Sequence, residues 1–148
     1  MKGRNDSLHA MKKLETYLFF NGTCAEAMRF YEKALGGKAT LLPASEAPDA
    51  SMFGPGNGEK IMHSKLELDG MVLMASDWLA PDPYPGMDGF YVTLSVPTVA
   101  EAKSAFDELA DGGRVNMPFG KTFYSDGFGM LVDRFGTPWM VMAETNTQ

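Results

Sequence analysis

One segment of the chain occurs twice, and this repetition restricts the fold more than any other feature. Residues 16–37 read TYLFFNGTCAEAMRFYEKALGG and residues 91–113 read YVTLSVPTVAEAKSAFDELADGG. In each, a short apolar run precedes Ala-Glu-Ala, at 25–27 and 100–102, and a Gly-Gly pair follows. Thr23 with Glu26, and Thr98 with Glu101, have the T-x-x-E spacing of a capping box. In such a box the hydroxyl accepts from an orphan N–H at the helix start while the carboxylate reaches back to the cap. Each Thr cap contributes roughly 1 kcal/mol. Ala27, Phe30, Tyr31, Ala34 and Leu35 recur at helical spacing, as do Ala102, Ala105, Phe106 and Leu109. Each set is one apolar stripe to lay against a sheet. Gly36 and Gly112 stand where C-terminal caps belong.

Strand-like material follows each helix. Ile61–Leu68 alternates, and an Asp69-Gly70 turn joins it to Met71–Asp77, a strong hairpin signal. In the second half, Phe128–Val132 and Trp139–Glu144 flank the turn Asp133–Gly136. Each half therefore reads strand–helix–strand–strand–strand. The expected fold is α+β, with two tandem βαβββ modules at 14–77 and 88–145. A Pro-rich linker at 78–87 separates them, and residues 1–13 form a loose tail in which Met11 is an alternative start. The small, Pro- and Gly-rich stretch Pro43–Lys60 reads as a surface loop or lid.

Charge and cysteine content narrow the partners. A net charge of −6 opposes nucleic acid and anionic membranes, which call for clustered Lys and Arg. No apolar run approaches a membrane span, and no signal peptide is evident at the start. The single cysteine, Cys24, cannot form an internal disulfide, so a cytoplasmic protein is expected. Twelve methionines favour adaptable apolar packing and a pocket tolerant of shape.

The motifs FFNGTCAEAMRFYEKALGG, IMHSKLELDGMVLMASD and FGMLVDRFGTPWMVMAE, in this order, resemble the vicinal-oxygen-chelate (glyoxalase/bleomycin-resistance) superfamily. Within it they are similar to the PhnB-like branch, often labelled demethylubiquinone methyltransferase. The resemblance covers residues 14 to 145. It implies eight strands in two curled mixed sheets around a cleft, and clefts commonly completed across a homodimer. It also implies metal ligands, typically His and Glu, on the first and last strands of the modules. Carried over one position at a time, those places fall on Thr16, on Tyr91 or a neighbour, and on Met140. Thr, Tyr and Met are poor ligands for a divalent cation. The chain has two histidines, and no HExxH, CxxC or EF-hand pattern. No metal and no cofactor are therefore expected. The methyltransferase label finds no support in the residues, because no glycine-rich strand-to-helix turn for a nucleoside cofactor is present.

The candidate ligand-binding residues are His63, Lys65, Glu67, Phe123, Tyr124 and Trp139. His63, Lys65 and Glu67 share one face of their strand, opposite Met62, Ser64, Leu66 and Leu68. That face is free to hold an anionic or carbonyl-bearing ligand, with His63 able to shuttle a proton; a solvated strand face is the plainer alternative. Phe123, Tyr124, Phe128 and Trp139 suit an apolar pocket wall, and equally a core. Ser125 and Asp126 suit a ligand loop, though turn chemistry accounts for them. Cys24, at a helix start, suits an activated thiol less well than a buried small residue. Gly54–Gly58 is a weak phosphate-loop signal. Asp77 and Glu144, at matching strand ends, are candidate paired acids.

Two functions compete. One is binding of a small oxygenated metabolite in a metal-free cleft shared by His63 and Trp139. The other is a metal-dependent enzyme, of lyase, isomerase or transferase type, with an atypical set such as His63 with Glu67 or Glu144. A purely structural interaction module is a third reading.

Overall fold

The repeat folds into two four-stranded mixed sheets, each with a helix on one side. A computed structural model describes residues 12–48 and 58–144. The first sheet contains β1 (Thr16–Phe20), β2 (Lys38–Pro43), β3 (Ile61–Leu68) and β4 (Met71–Asp77), in the order β1-β4-β3-β2. The second contains β5 (Val92–Val96), β6 (Arg114–Gly120), β7 (Phe128–Val132) and β8 (Pro138–Ala143), in the order β5-β8-β7-β6. Helix α1 (Cys24–Leu35) follows β1 and α2 (Val99–Ala110) follows β5. In both sheets the first strand pairs parallel with the last, and the other pairs are antiparallel. The sheets do not close into barrels. The tail at 1–11, with His9, and the loop residues 49–57, with most of the Gly54–Gly58 run, lie outside the described residues.

The two sheets share one register plan. Thr16 to Phe20 pair with Leu73 to Asp77, and Val92 to Val96 pair with Trp139 to Ala143. Tyr17 therefore corresponds to Thr93, Met74 to Met140, and Asp77 to Ala143. Glu144 lies one residue past the matching position and is exposed. The expected pairing of Asp77 with Glu144 is thus not formed.

Alternation decides the faces. Leu18, Phe20, Ser64, Leu66 and Ala75 are buried, as are Leu131, Trp139, Val141 and Ala143. Together with the apolar stripes of α1 and α2 the apolar members form one core that spans both halves. In β7, Gly129 meets the Phe106 ring of α2, and an added Cβ would lie 2.5 Å from it, so only glycine fits that crossing. Since the helix-facing sides of both sheets are spent on one core, their opposite faces lie outside it.

The helix starts differ from the capping boxes read in the sequence. Thr98 accepts from the Glu101 amide at 3.1 Å, as expected. Thr23 makes no side-chain cap. Asp77, at the end of β4, takes its place by accepting from the Cys24 amide at 2.9 Å. A carboxylate opposes the positive end of the helix dipole better than a hydroxyl does. The hairpin turn is as read: Asp69 and Gly70 both have positive φ, at 48° and 83°, the pair that a two-residue turn of type I′ requires.

A candidate ligand face on the open sides of the sheets

On the open side of the first sheet, registry assembles a row across four strands. Tyr17 is opposite Met74, Met74 opposite Lys65, and Lys65 opposite Thr40. The next residues along, Phe19, His63 and Leu42, extend this face. Tyr17 and Phe19 alternate with the buried Leu18 and Phe20, and each stays about 40% exposed, at 38% and 42%. The Tyr17 hydroxyl lies 3.0 Å from His63 Nδ1, and the two rings stack at 5.6 Å. Phe19 packs on Tyr17 at 5.2 Å and edge-on to Trp78 at 5.5 Å. When the phenol donates to Nδ1, the imidazole keeps its proton on Nε2 and presents a donor to the open side. Lys65 bridges to Glu67 at 3.2 Å, and both are half exposed; the pair offers a cation to a ligand only when the ligand outcompetes Glu67.

The same row on the second sheet is apolar. Thr93 is opposite Met140, Met140 opposite Met130, and Met130 opposite Met117. Met142 lies between Ser95 and Phe128. The Thr93 hydroxyl contacts the Met140 sulfur at 3.8 Å. Methionine side chains are unbranched and flexible, so this face has no single fixed outline. The two open faces are complementary in kind: one carries aromatic, imidazole and ammonium groups, the other thioethers.

Trp139, expected beside His63, is placed elsewhere. It is 2% exposed, on the helix side of β8. Its indole donates to Asp133 at 2.8 Å and packs edge-on to Tyr31 of α1 at 5.3 Å. His63 points away from the core and Trp139 into it, so the pocket shared by these two residues does not form within the chain. Strand parity is the cause: Met140, the next residue, takes the outward place. Phe128 is buried beneath Tyr124 at 5.5 Å, and Phe123, which packs on Tyr124, is 99% exposed. These three belong to the loop 121–127 and the strand it leads into, apart from His63. Ser125 turns its hydroxyl to the carbonyls of Gly127 and Ala143, a turn-forming role.

Cys24 and Asp77 are structural. Burial pushes the Cys24 thiol up to about 12, helped by the nearby Asp77 charge and only partly countered by Ser64. A neutral, buried thiol is not a nucleophile. The Asp77 carboxylate is committed to the amides of Cys24 and Ile61.

The inherited metal places do not supply a donor set. Thr16 shares the parity of the core residues Leu18 and Phe20, while Met140 projects from the open side. The Tyr91 hydroxyl accepts from Asn116 at 2.9 Å. Among the described residues, no three His, Cys, Asp or Glu side chains gather closely enough to hold a metal ion. The chemistry of the described residues at these places therefore does not fit the superfamily's metal.

Two curled βαβββ sheets with this strand order define a glyoxalase-type fold. The model of the Glyoxalase/Bleomycin resistance protein/Dioxygenase superfamily matches residues 13–141, and the chain belongs to that superfamily. It is similar to the protein PA1353 from Pseudomonas aeruginosa, at 41% identity and a TM-score of 0.85, over 92% of this chain and 100% of that one. It is 31% identical to Protein YjdN of Escherichia coli strain K12, over 86% of this chain and 92% of that protein. The PhnB protein from Bacillus cereus is 26% identical, with a TM-score of 0.72, over 89% of this chain and 99% of that one. The chain is thus a PhnB-like member of the superfamily. Among the described residues, no helix is long and apolar enough to cross a membrane.

Proposed function

We propose that this protein binds a small, partly apolar, oxygenated metabolite without a metal, in a cleft between the open faces of two sheets. The carrying observation is that both helix faces are spent on one core, which leaves the Tyr17–His63 face and the methionine face outward. Neither face is a closed pocket by itself. A homodimer supplies the missing half: the first sheet of one chain opposes the second sheet of its partner, and symmetry builds two such clefts. Curled open sheets also leave edges that a partner covers. Tyr17 and His63 then meet the oxygen-rich end of the ligand, Lys65 takes an anionic group, and Met130, Met140 and Met142 wrap the apolar end. A cytoplasmic setting suits the single reduced cysteine.

A thermal-shift screen of small keto and carboxylic metabolites, with chelator and with added zinc or manganese, tests this reading. A ligand that binds the folded state stabilises it by RT ln(1 + [L]/Kd) and so raises the melting temperature. The expected result is a hit whose shift is the same under chelator and is lost in His63→Ala. A shift that requires metal overturns metal-free binding and favours the metal-dependent enzyme.

A further inference from the structure

At one end of the seam between the halves, on the helix side of both sheets, the shared core leaves a recess of about 400 Å³. Strand registry builds its first wall. Leu66 pairs with Leu73, and Leu73 with Thr16, in an inner row; Leu68 and Met71 form the next row outward. These residues have the parity of Leu18, Ser64 and Ala75, which point to the core. Leu35 at the end of α1, Val92 and Leu94 of β5 and Trp139 of β8 complete the lining. The volume falls in the range of small-molecule sites. The recess contains none of Tyr17, His63, Lys65 or Met140, so it is separate from the cleft proposed above and does not depend on it.

The lining is graded from floor to mouth. Leu66 and Trp139 are 1% and 2% exposed, whereas Met71 is 60% and Leu14 102% exposed. The indole N–H of Trp139 is spent on Asp133 at 2.8 Å, so the floor offers hydrocarbon and ring carbon only. Exposed Leu14 and Met71 at the lip continue the same apolar track into water, where a ligand that covers them gains. The mouth also carries Lys13 and Glu15, both exposed and of opposite sign. A charged head there meets one like charge whichever sign it bears. A hydroxyl meets no such conflict, because it accepts from the ammonium and donates to the carboxylate. Thr16, in the inner row, is three residues from Lys13, at most about 10 Å along the chain, which is the length of an extended octyl chain.

We infer that this recess is a second small-molecule site, which takes a medium-chain aliphatic molecule with a neutral hydroxyl head. The end of the chain rests on Trp139 and Leu66, its middle passes Leu73 and Met71, and the hydroxyl lies between Lys13 and Glu15.

Tryptophan fluorescence tests the assignment directly. The chain has two tryptophans, and Trp78, past the far end of β4, is removed by Trp78→Phe, so the remaining signal is that of Trp139. The probe is ω-bromooctanol, whose bromine quenches a ring that it touches. It should quench Trp139 saturably, and octanol should relieve the quenching by competition. Octanoate and octylamine should compete at least roughly tenfold more weakly. Met71→Glu and Leu14→Glu, at exposed positions of the lip, keep the fold, which circular dichroism checks, and should each weaken the probe by roughly tenfold. His63→Ala should leave the titration unchanged, whatever becomes of the cleft. Absence of saturable quenching overturns the inference. So does a probe affinity that survives both lip variants, or one that is lost in His63→Ala. Octanoate or octylamine as the tightest competitor overturns the neutral head.

Discussion

The Tyr31 hydroxyl of α1 donates to Asp133 of the β7–β8 turn across 2.6 Å, and so ties one half of the chain to the other. The same hydroxyl lies 2.8 Å from Thr137 Oγ1. Asp133 also accepts from the Trp139 indole and from the amides of Phe135 and Thr137. A carboxylate 3% exposed is tolerated because every one of these donors faces it.

Removing one donor leaves that buried charge under-satisfied. Tyr31→Phe should cost about 1–3 kcal/mol of stability, read from urea unfolding. Trp139→Phe removes another donor from the same oxygen, Oδ2. The double variant should depart from the sum of the two single losses, because the residues share a partner.

Alkaline pH should destabilise the protein through two buried acids. Burial raises the Cys24 thiol from 9.0 to about 12, and burial, with the Asp133 charge next, raises the Tyr31 phenol well above 10.0. In each case the unfolded chain loses its proton at a lower pH than the folded one. The stabilising contribution is therefore whole below about pH 9 and declines as pH rises through the folded values. Unfolding curves between pH 8 and roughly pH 11 should show falling stability, with a smaller fall in Cys24→Ala and in Tyr31→Phe. The same burial predicts that Cys24 resists alkylation at neutral pH until the protein is unfolded.

Asp77→Ala should destabilise α1 more than Thr23→Ala does. Asp77 satisfies the Cys24 and Ile61 amides at 2.9 and 2.8 Å, whereas the Thr23 side chain caps nothing. The loss of two buried hydrogen bonds to a charged acceptor points to roughly 2–5 kcal/mol, against a few tenths for Thr23. Denaturant melts of the two variants check the order.

The sequence made much of this visible, and the physics explains the rest. Repeat, helices, hairpin turns and the outward face of His63, Lys65 and Glu67 follow from spacing, because a period of 3.6 or 2 appears wherever apolar and polar residues alternate. Tyr17 and Phe19 were hidden because every residue of TYLFF after Thr16 is aromatic or aliphatic, so the run carries no alternation to assign faces. Only the pairing of β1 with β4 shows that Leu18 and Phe20 go inward. Trp139 and Met140 posed the same ambiguity in PWMVMA. The buried Asp133, which takes the indole hydrogen bond, settles it, and a polar residue just before an apolar strand gives no sign of that role. The Thr23 cap failed for a related reason. Its T-x-x-E spacing is local, while the competing carboxylate of Asp77 lies 53 residues away from Cys24.

Substitutions on the open faces should alter binding while the fold persists. Tyr17→Phe removes the hydroxyl that orients His63 and should weaken a ligand found by thermal shift about tenfold, with stability changed by roughly 0.5 kcal/mol or less. Phe19→Ala and Met140→Gln should weaken it through lost apolar contact. Calorimetry of each variant with that ligand gives the comparison.

Complementation between two variants impaired in binding tests the shared cleft most directly. His63→Ala damages the first-sheet face, and Met140→Gln damages the second. In a mixed dimer, the intact first sheet of the Met140→Gln chain meets the intact second sheet of the His63→Ala chain, which restores one cleft of two. Mixing equal amounts, with unfolding and refolding to exchange chains, should return about a quarter of the parent protein's binding sites, since about half of the dimers are mixed. If the mixture binds no better than its separate components, the two faces do not meet across chains, and the cleft proposed here does not exist.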